Sequence, residues 1–511
     1  MALTKKTKMN MLAVASAIPL TMALQMVDTP LKWFMLTPIF YLCIEATLKE
    51  ILTRAVIFGA TASVLNFFWL FGSTNNYTGS GYLLGILLIT VFSLVFSAYT
   101  MLVGLVYHYF LRQKRQNSLD WLYISLSGGS FFVLLDLTME KLGRSFATCL
   151  YMNYIPFADN LYAIQPSAVL GPCVITFVIA VFDYQVAYFL RFKQWKKLLI
   201  PAGVLMLYLG WGKYLYDSFC KDTGNDLVGN RTFKAAILSE NLPPSESWNS
   251  ANGNFIAGQS FALARAAAQG NAKLAVWSET AIPWTYRPDD DFIKVLDSLT
   301  SPYGLVHLLG INTEYHGRTY YNSVYCIAPG RKVLGRYDKR EALSLAEKPW
   351  MGILLPFFTN NGFSVKEGVS ATPLPTPYGK AGMMLCNESV TRGPAWSMVK
   401  NAAQFLVNQG NDGWFADTYL SRQHFYYSRM RAVETRKDVI VDNNNGYCGL
   451  IQASGNIVAQ ENNAGPKVLF VDVTPNDYDP HSLHYAKYFS WLAISLFVGL
   501  TVLNYLKGRR E

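Results

Sequence analysis

Charge is scarce in this chain. Of 511 residues only 15% are Asp, Glu, Lys or Arg, while 51% are hydrophobic and 14% aromatic; ordinary soluble domains carry about 25% charged residues. Cysteine is thin as well: seven residues, at 43, 149, 173, 220, 326, 386 and 448, with no CxxC pair and no His-rich cluster. Neither a zinc site nor a disulfide framework is signalled. Glycine-rich phosphate loops of Walker or Rossmann spacing are missing too, as is any internal repeat.

The shortage of charge is uneven. Apolar runs fill residues 11 to about 216 and return at 486–506, whereas the middle has ordinary charge density with regular Gly, Pro and Asn. Runs near the ~20 residues that cross a bilayer lie at 11–27, 31–48, 55–72, 82–107, 121–137, 166–190, 197–216 and 486–506, which predicts eight spans. The first also reads as a signal peptide with AVASA at the cleavage site. Against that, the apolar run continues past the small residues and a second span follows at once.

Lys and Arg orient these spans, because basic residues accumulate in short cytoplasmic loops. With the N-terminus cytoplasmic, the cytoplasmic pieces hold Lys5, Lys6 and Lys8; Lys49 and Arg54; Arg112, Lys114 and Arg115; Arg191, Lys193, Lys196 and Lys197; and Lys507, Arg509 and Arg510. Loops 28–30 and 73–81 hold none, and 138–165 holds only Lys141 and Arg144. The predicted organisation is a bundle of seven spans over 1–220, a domain on the trans side over 221–485, and a final span with a basic tail over 486–511. Most of the net charge of +10 belongs to this bias, which argues against a nucleic-acid partner.

In the middle region, short β-like runs (KAAILSE, KLAVWSE, GLVHLLGINTEY, TYYNSVYCIAP, KAGMMLC, AQFLVNQ, DVIVDNN, CGLIQA) alternate with helix-like stretches at 254–269, 290–299, 394–402 and 419–436. Mixed order of this kind predicts an α/β sandwich with helices outside the sheets. Three strand ends carry ionisable residues: Glu279 in LAVWSETAIP, Lys339 and Glu347 in GRYDKREALSLAEKPW, and Cys386 in MMLCNES. Singly each is bland, since a lone cysteine ending an apolar strand is more often core than catalyst. Taken together they supply what a thiol nucleophile needs: a base for its proton, and a cation with turn amides for the oxyanion.

Glu, Lys and Cys on successive strand ends resemble the catalytic order of the nitrilase superfamily, and the membrane frame around them resembles the apolipoprotein N-acyltransferase family. WSETAIP is similar to that family's W-P-E-T-A-x-P, RYDK to its Y-x-K, LSLAEKP to its loop with a second glutamate, and MLCNES to its C-Y-E segment. NQGNDGWF resembles S/T-N-D-x-W-F/W, and QHFYYSRMRAVETRKDVIVDNNNGYCGLIQASG resembles the Q-H…R-A-x-E-x-R…N-x-G run. The chain departs from the pattern at Ser278, at Asn387 and at Ser239-Glu240-Asn241, and it lacks the Phe-Pro-Trp stretch between spans 5 and 6.

The resemblance implies a nitrilase-like αββα sandwich inserted in an eight-span helical bundle of the bacterial inner membrane, with the sandwich periplasmic. By position, Glu279 is implied as general base, Lys339 as oxyanion stabiliser and Cys386 as nucleophile. Glu347 and Glu388 are implied as supporting acids, and Trp248, Trp414 and Asn387 as pocket residues. The implied partners are a phospholipid acyl donor, a diacylglyceryl apolipoprotein acceptor and the lipid bilayer, and no metal or organic cofactor is implied. An amidase, an acyltransferase for another amine and a non-catalytic membrane scaffold are the competing readings. His424, inside the QHF helix, is expected to make a structural hydrogen bond only. PWMGILLPFF after Glu347 is too apolar for a solvated loop, and reads equally as a lid that dips into the membrane through Trp350, Leu354, Leu355, Phe357 and Phe358 or as a buried packing loop.

Overall fold

The computed structural model describes residues 4–78, 82–111, 119–146, 151–226, 231–243, 248–353, 364–415, 418–462 and 465–509. It separates into two units, one of residues 1–139, 151–215 and 484–511, the other of residues 140–150 and 216–483.

The first unit is helical. Among the described residues, six helices are long and apolar enough to cross a membrane: Lys6–Leu24, Tyr82–Leu111, Asp120–Gly143, Cys173–Arg191, Trp195–Lys221 and His481–Leu506. The other two expected spans are not of that kind. Residues 31–48 break into a 3-10 turn, Pro30–Phe34, and a short helix, Thr37–Cys43, each with proline in its first turn. The Asp183 carboxylate accepts from the Leu36 and Thr37 amides and so caps the second piece. The segment 55–72 is divided between Leu48–Phe67, whose first two turns carry Lys49, Glu50 and Arg54, and the next helix, Leu70–Thr78.

The second unit is a two-sheet sandwich with fifteen strands among the described residues: β1 Phe233–Ser239, β2 Leu274–Trp277, β3 Ile282–Thr285, β4 Val306–His316, β5 Thr319–Tyr321, β6 Ser323–Ala328, β7 Lys332–Asp338, β8 Ser364–Val365, β9 Leu374–Thr376, β10 Gly379–Leu385, β11 Phe405–Asn411, β12 Val439–Asn444, β13 Tyr447–Ile451, β14 Ile457–Asn462 and β15 Lys467–Val473. The first sheet runs β15-β1-β2-β4-β5-β8, with β3 and β6 also on β4 and β7 on β6. The second runs β14-β13-β12-β11-β10-β9. The neighbours β1-β2-β4 and β10-β11-β12 are parallel. Their buried runs, such as LAVW and FLVNQG, lack alternation because both faces are covered.

Helices Gly253–Gln269 and Asp291–Thr300 cover the first sheet, burying Leu263, Ala264, Phe292 and Leu296 against Ala236, Ala275, Trp277 and Leu309. Helices Arg392–Lys400 and Tyr419–Thr435 pack on the second sheet. The Gln409 side chain in β11 donates to the Leu308 carbonyl in β4 at 2.9 Å, and the Glu279 amide to the Gly410 carbonyl at 3.4 Å, so the sheets are tied face to face. All of this is the αββα layering that the residue pattern predicts.

Candidate active site

The parallel strands β2 and β10 end on the same side of the sandwich, where α/β folds expose strand ends for chemistry. Glu279 lies two residues beyond β2 and is 6% exposed. The chain turns sharply there, with φ of +53° at Thr280. Gly310 of β4 makes room for that turn, because a Cβ would lie 2.3 Å from the Ser278 carbonyl oxygen.

Lys339 follows β7 and is buried. Its Nζ donates to Glu279 Oε1 at 3.0 Å and to Glu347 Oε1 at 2.7 Å. Burial alone would strip its proton, but the two carboxylates outweigh that and hold the ammonium well above the usual lysine range. Lys339 is therefore a fixed cation and not a base.

Asn322 locks this arrangement from both sides. Its Nδ2 donates to Glu279 Oε1 at 2.8 Å, and its carbonyl accepts the Lys339 amide at 2.8 Å. Residue-level reading passed over Asn322 because it lies inside a strand-like run. The available signal was its polarity between Tyr321 and Ser323, where the structure separates β5 from β6.

Cys386 stands on the turn that leaves β10. Its φ of +51° is uncommon for a residue with a Cβ and is a form of strain that gathers at functional turns. The thiol is half-buried. Burial, then the Glu279 charge, push its pKa well above the usual thiol value, and Lys339 only partly offsets them. A proton thus rests on sulfur at neutral pH, and a base has to remove it.

Glu388 is fully buried two residues on, and among the described residues no hydrogen bond joins it to Lys339, whose charge reaches it without one. Its Oε1 accepts from the Arg340 and Glu341 amides at 2.7 and 3.1 Å, and its Oε2 from the Leu385 amide and the Tyr337 hydroxyl, both at 2.8 Å. It joins the backbone just after Lys339 to the residue just before Cys386. Burial raises its pKa to about 7 against the pull of those donors. Glu347 Oε2 accepts the Leu343 amide at 2.7 Å, which closes the loop behind Lys339.

Asn387 donates from Nδ2 to the Glu341 carbonyl at 2.8 Å, and its Oδ1 has no partner among the described residues. Trp248 is not brought to these residues: its ring contacts are with Trp284 at 5.0 Å and Phe292 at 6.1 Å. Trp414 falls in the 3-10 turn Gly413–Phe415, with its side chain outside the described residues. Leu354, Leu355, Phe357 and Phe358 also lie outside them, while Trp350 packs edge-on against Phe146 at 5.7 Å. His424, expected to be structural, donates to or accepts from two groups of the site, Asp412 Oδ1 at 2.8 Å and the Cys386 carbonyl at 2.9 Å.

A buried carboxylate, a lysine fixed between two acids and a cysteine on a strained elbow are arranged for nucleophilic attack on a carbonyl. Residues 241–480 match the carbon-nitrogen hydrolase family model, and residues 16–184 match the model of the apolipoprotein N-acyltransferase N-terminal domain. The chain belongs to the apolipoprotein N-acyltransferase family. Members of it are similar along almost the whole chain: the enzyme so named from Geobacter metallireducens is 23% identical over 503 residues, 94% of this chain and 92% of its own. The one from Pseudomonas putida is 25% identical over 480 residues, 91% of each chain. The family member from Agrobacterium fabrum is 30% identical over 248 residues, 47% of each chain, so that match spans about half of either protein. Among solved structures, a carbon-nitrogen hydrolase from Helicobacter pylori G27 superposes with a TM-score of 0.36 at 15% identity, covering 52% of this chain and 94% of that one.

Proposed function

We propose that this protein moves a fatty acyl chain from a phospholipid, through a thioester on Cys386, to the N-terminal amine of S-diacylglyceryl-cysteine apolipoproteins. The observation that carries the reading is the Lys339 ammonium held between Glu279 and Glu347, with the Cys386 thiol on a strained elbow within reach of their charges. In the proposed first half-reaction, Glu279 takes the thiol proton as sulfur attacks the ester carbonyl. Lys339 and turn amides stabilise the oxyanion. Collapse of the intermediate breaks the ester C–O bond, the leaving oxygen takes the proton back from Glu279 to give a neutral lysophospholipid, and the thioester remains.

In the second half, the amine of the lipoprotein attacks the thioester, Glu279 accepts its proton, and collapse breaks the C–S bond with that proton passing to the departing Cys386 sulfur. An amine is a better nucleophile than water toward a thioester, so a site that limits water favours the amide product. Membrane-spanning helices suit a donor that resides in the bilayer. The pattern of basic loops supports a periplasmic location for residues 221–485, between a bundle over 1–220 and a last span over 486–511, in the bacterial inner membrane. Glu347 and Glu388 hold the Lys339 loop and the elbow in this scheme, and Asn387 and Trp414 remain the candidates to contact acyl or peptide groups.

Mass spectrometry of the full chain after incubation with phospholipid tests the proposal. An added acyl mass on Cys386, absent in Cys386→Ser and Glu279→Gln, is the expected result, and a chase into a diacylglyceryl peptide should remove it. No adduct from any phospholipid would defeat it.

A further inference from the structure

His424 sits in helix Tyr419–Thr435, buried, with oxygen atoms at both ends of its ring. Nδ1 is 2.8 Å from Asp412 Oδ1, and Nε2 is 2.9 Å from the carbonyl oxygen of Cys386. A carbonyl oxygen only accepts, and so does a carboxylate. Neutral imidazole carries one N–H and would leave one of these contacts as lone pair against lone pair. Only the imidazolium donates to both.

The surroundings agree with that form. Asp412 is fully buried; its Oδ2 accepts the Ser421 hydroxyl at 2.8 Å. Gly446 leaves space for the carboxylate, since a Cβ there would stand 2.3 Å from Asp412 Oδ2. Burial pulls the imidazolium pKa down, but the Asp412 charge and hydrogen bond, the Cys386 carbonyl and the Glu279 charge together raise it above the usual histidine value. Asp412 and Glu279 are the charged groups that reach the ring, and the Phe415 ring stands edge-on to it at 6.3 Å.

The contact falls on the peptide bond that follows the nucleophile. The Cys386 carbonyl also accepts the Ser389 hydroxyl at 3.1 Å, so this peptide plane is held by two donors. A planar trans peptide puts its N–H opposite its C=O, and the Asn387 N–H lies at the second position of a 3-10 turn, where the turn supplies no acceptor.

We propose that His424, held as an imidazolium between Asp412 and the Cys386 carbonyl, is a positioning residue that fixes the 386–387 peptide and with it the direction of the Asn387 amide toward developing negative charge. This rests on the acyl-transfer reading only for what that charge belongs to. The protonation state is a property of the resting protein.

Two measurements test it. The first is solid-state NMR of the full chain in phospholipid vesicles with nitrogen-labelled histidine, using His424→Gln to assign the signal among the six histidines. Both ring nitrogens of His424 should be protonated at neutral pH, and one should become bare in Asp412→Asn. A bare ring nitrogen in the unaltered protein overturns the proposal.

The second is single-turnover acylation of Cys386 against pH. The rate should fall on the alkaline side as His424 loses its proton, and Asp412→Asn should move that fall to lower pH. His424→Gln keeps one amide donor but no charge; it should lower the rate on the order of 10²-fold, the loss expected when one oxyanion donor is misplaced, and abolish the fall. Three profiles that differ only by a constant factor would mean a merely structural histidine. If no acyl adduct forms in any of the three proteins, the acyl-transfer reading fails while the NMR result still decides the state of His424.

Discussion

Replacing Glu388 by Gln should destabilise the protein at low pH and barely at high pH. Each Glu388 oxygen accepts two donors, and Gln offers a single acceptor oxygen. If that oxygen faces the Arg340 and Glu341 amides, the new NH2 meets the Tyr337 hydroxyl, which can rotate to accept, and the Leu385 amide, which cannot. One buried backbone N–H is orphaned, at a cost of about 1–3 kcal/mol; the opposite orientation orphans two. Set against this, the buried carboxylate of the wild type has its pKa raised to about 7 from 4.5, a difference worth about 3 kcal/mol. A carboxyl group raised on folding binds more protons folded than unfolded between those values, so the wild type loses stability as pH climbs through that window. The neutral Gln loses nothing there. At pH 5 the variant should melt lower, by roughly 2–4 °C for each kcal/mol in a domain of this size; near pH 8 the gap should close. Intrinsic-fluorescence melting in detergent at one scan rate reads both. A deficit that is the same at both pH values, or grows with pH, would refute the reasoning.

Other consequences are as direct. Lys339→Met leaves the buried Glu279 and the half-buried Glu347 carboxylates without their shared cation, which should cost about 3–5 kcal/mol and abolish acylation of Cys386; retained melting temperature would count against the ion pairs as drawn. Glu279→Gln should keep the fold and lower the rate of acyl-adduct formation by about 10²–10⁴, measured by quenched-flow mass spectrometry. His307 is buried, accepts from Trp277 Nε1 at 3.1 Å and sits 2.9 Å from the Thr300 hydroxyl, and burial lowers its pKa to about 4. The unfolded chain therefore takes up a proton first as pH falls from 6.5 to about 4, and wild-type stability should drop by about 3 kcal/mol across that window. His307→Asn should flatten this limb in denaturant titrations. Gly446→Ala forces a Cβ onto the Asp412 carboxylate and should slow acylation without altering Glu279 or Lys339.

The sandwich was legible where strands are buried on both faces. AVW before Glu279, MMLC and FLVNQ stand out as runs without alternation, and helices 254–269, 290–299, 394–402 and 419–436 were read to within two residues of their observed ends. Half-exposed or short strands such as β7, β14 and β15 carry weaker patterns and were passed over. In the membrane unit, apolar content alone could not reveal that Pro30 and Pro38 break one expected span, because prolines and a capping aspartate are local events inside an apolar stretch. At the site, the residues proposed to take part in the reaction are visible from their types, whereas Asn322, Tyr337 and Asp412 act through partners distant in sequence. His424 was read as structural because its two oxygen neighbours come from other segments 12 and 38 residues away.

Glu279 and Lys339 hang from one sheet and Cys386 from the other, tied by Gln409 to Leu308. The gap between sheets, ordinarily about 10 Å, is thereby the spacer of a caliper whose jaws are the proposed base and the sulfur. Interior residues such as Val276, Leu308, Met383 and Val407, none of them chemically active, set its opening. Under the proposed acyl transfer, enlarging or trimming them should tune turnover as a matter of thickness, so a substitution deep in this core should alter the rate as well as the stability.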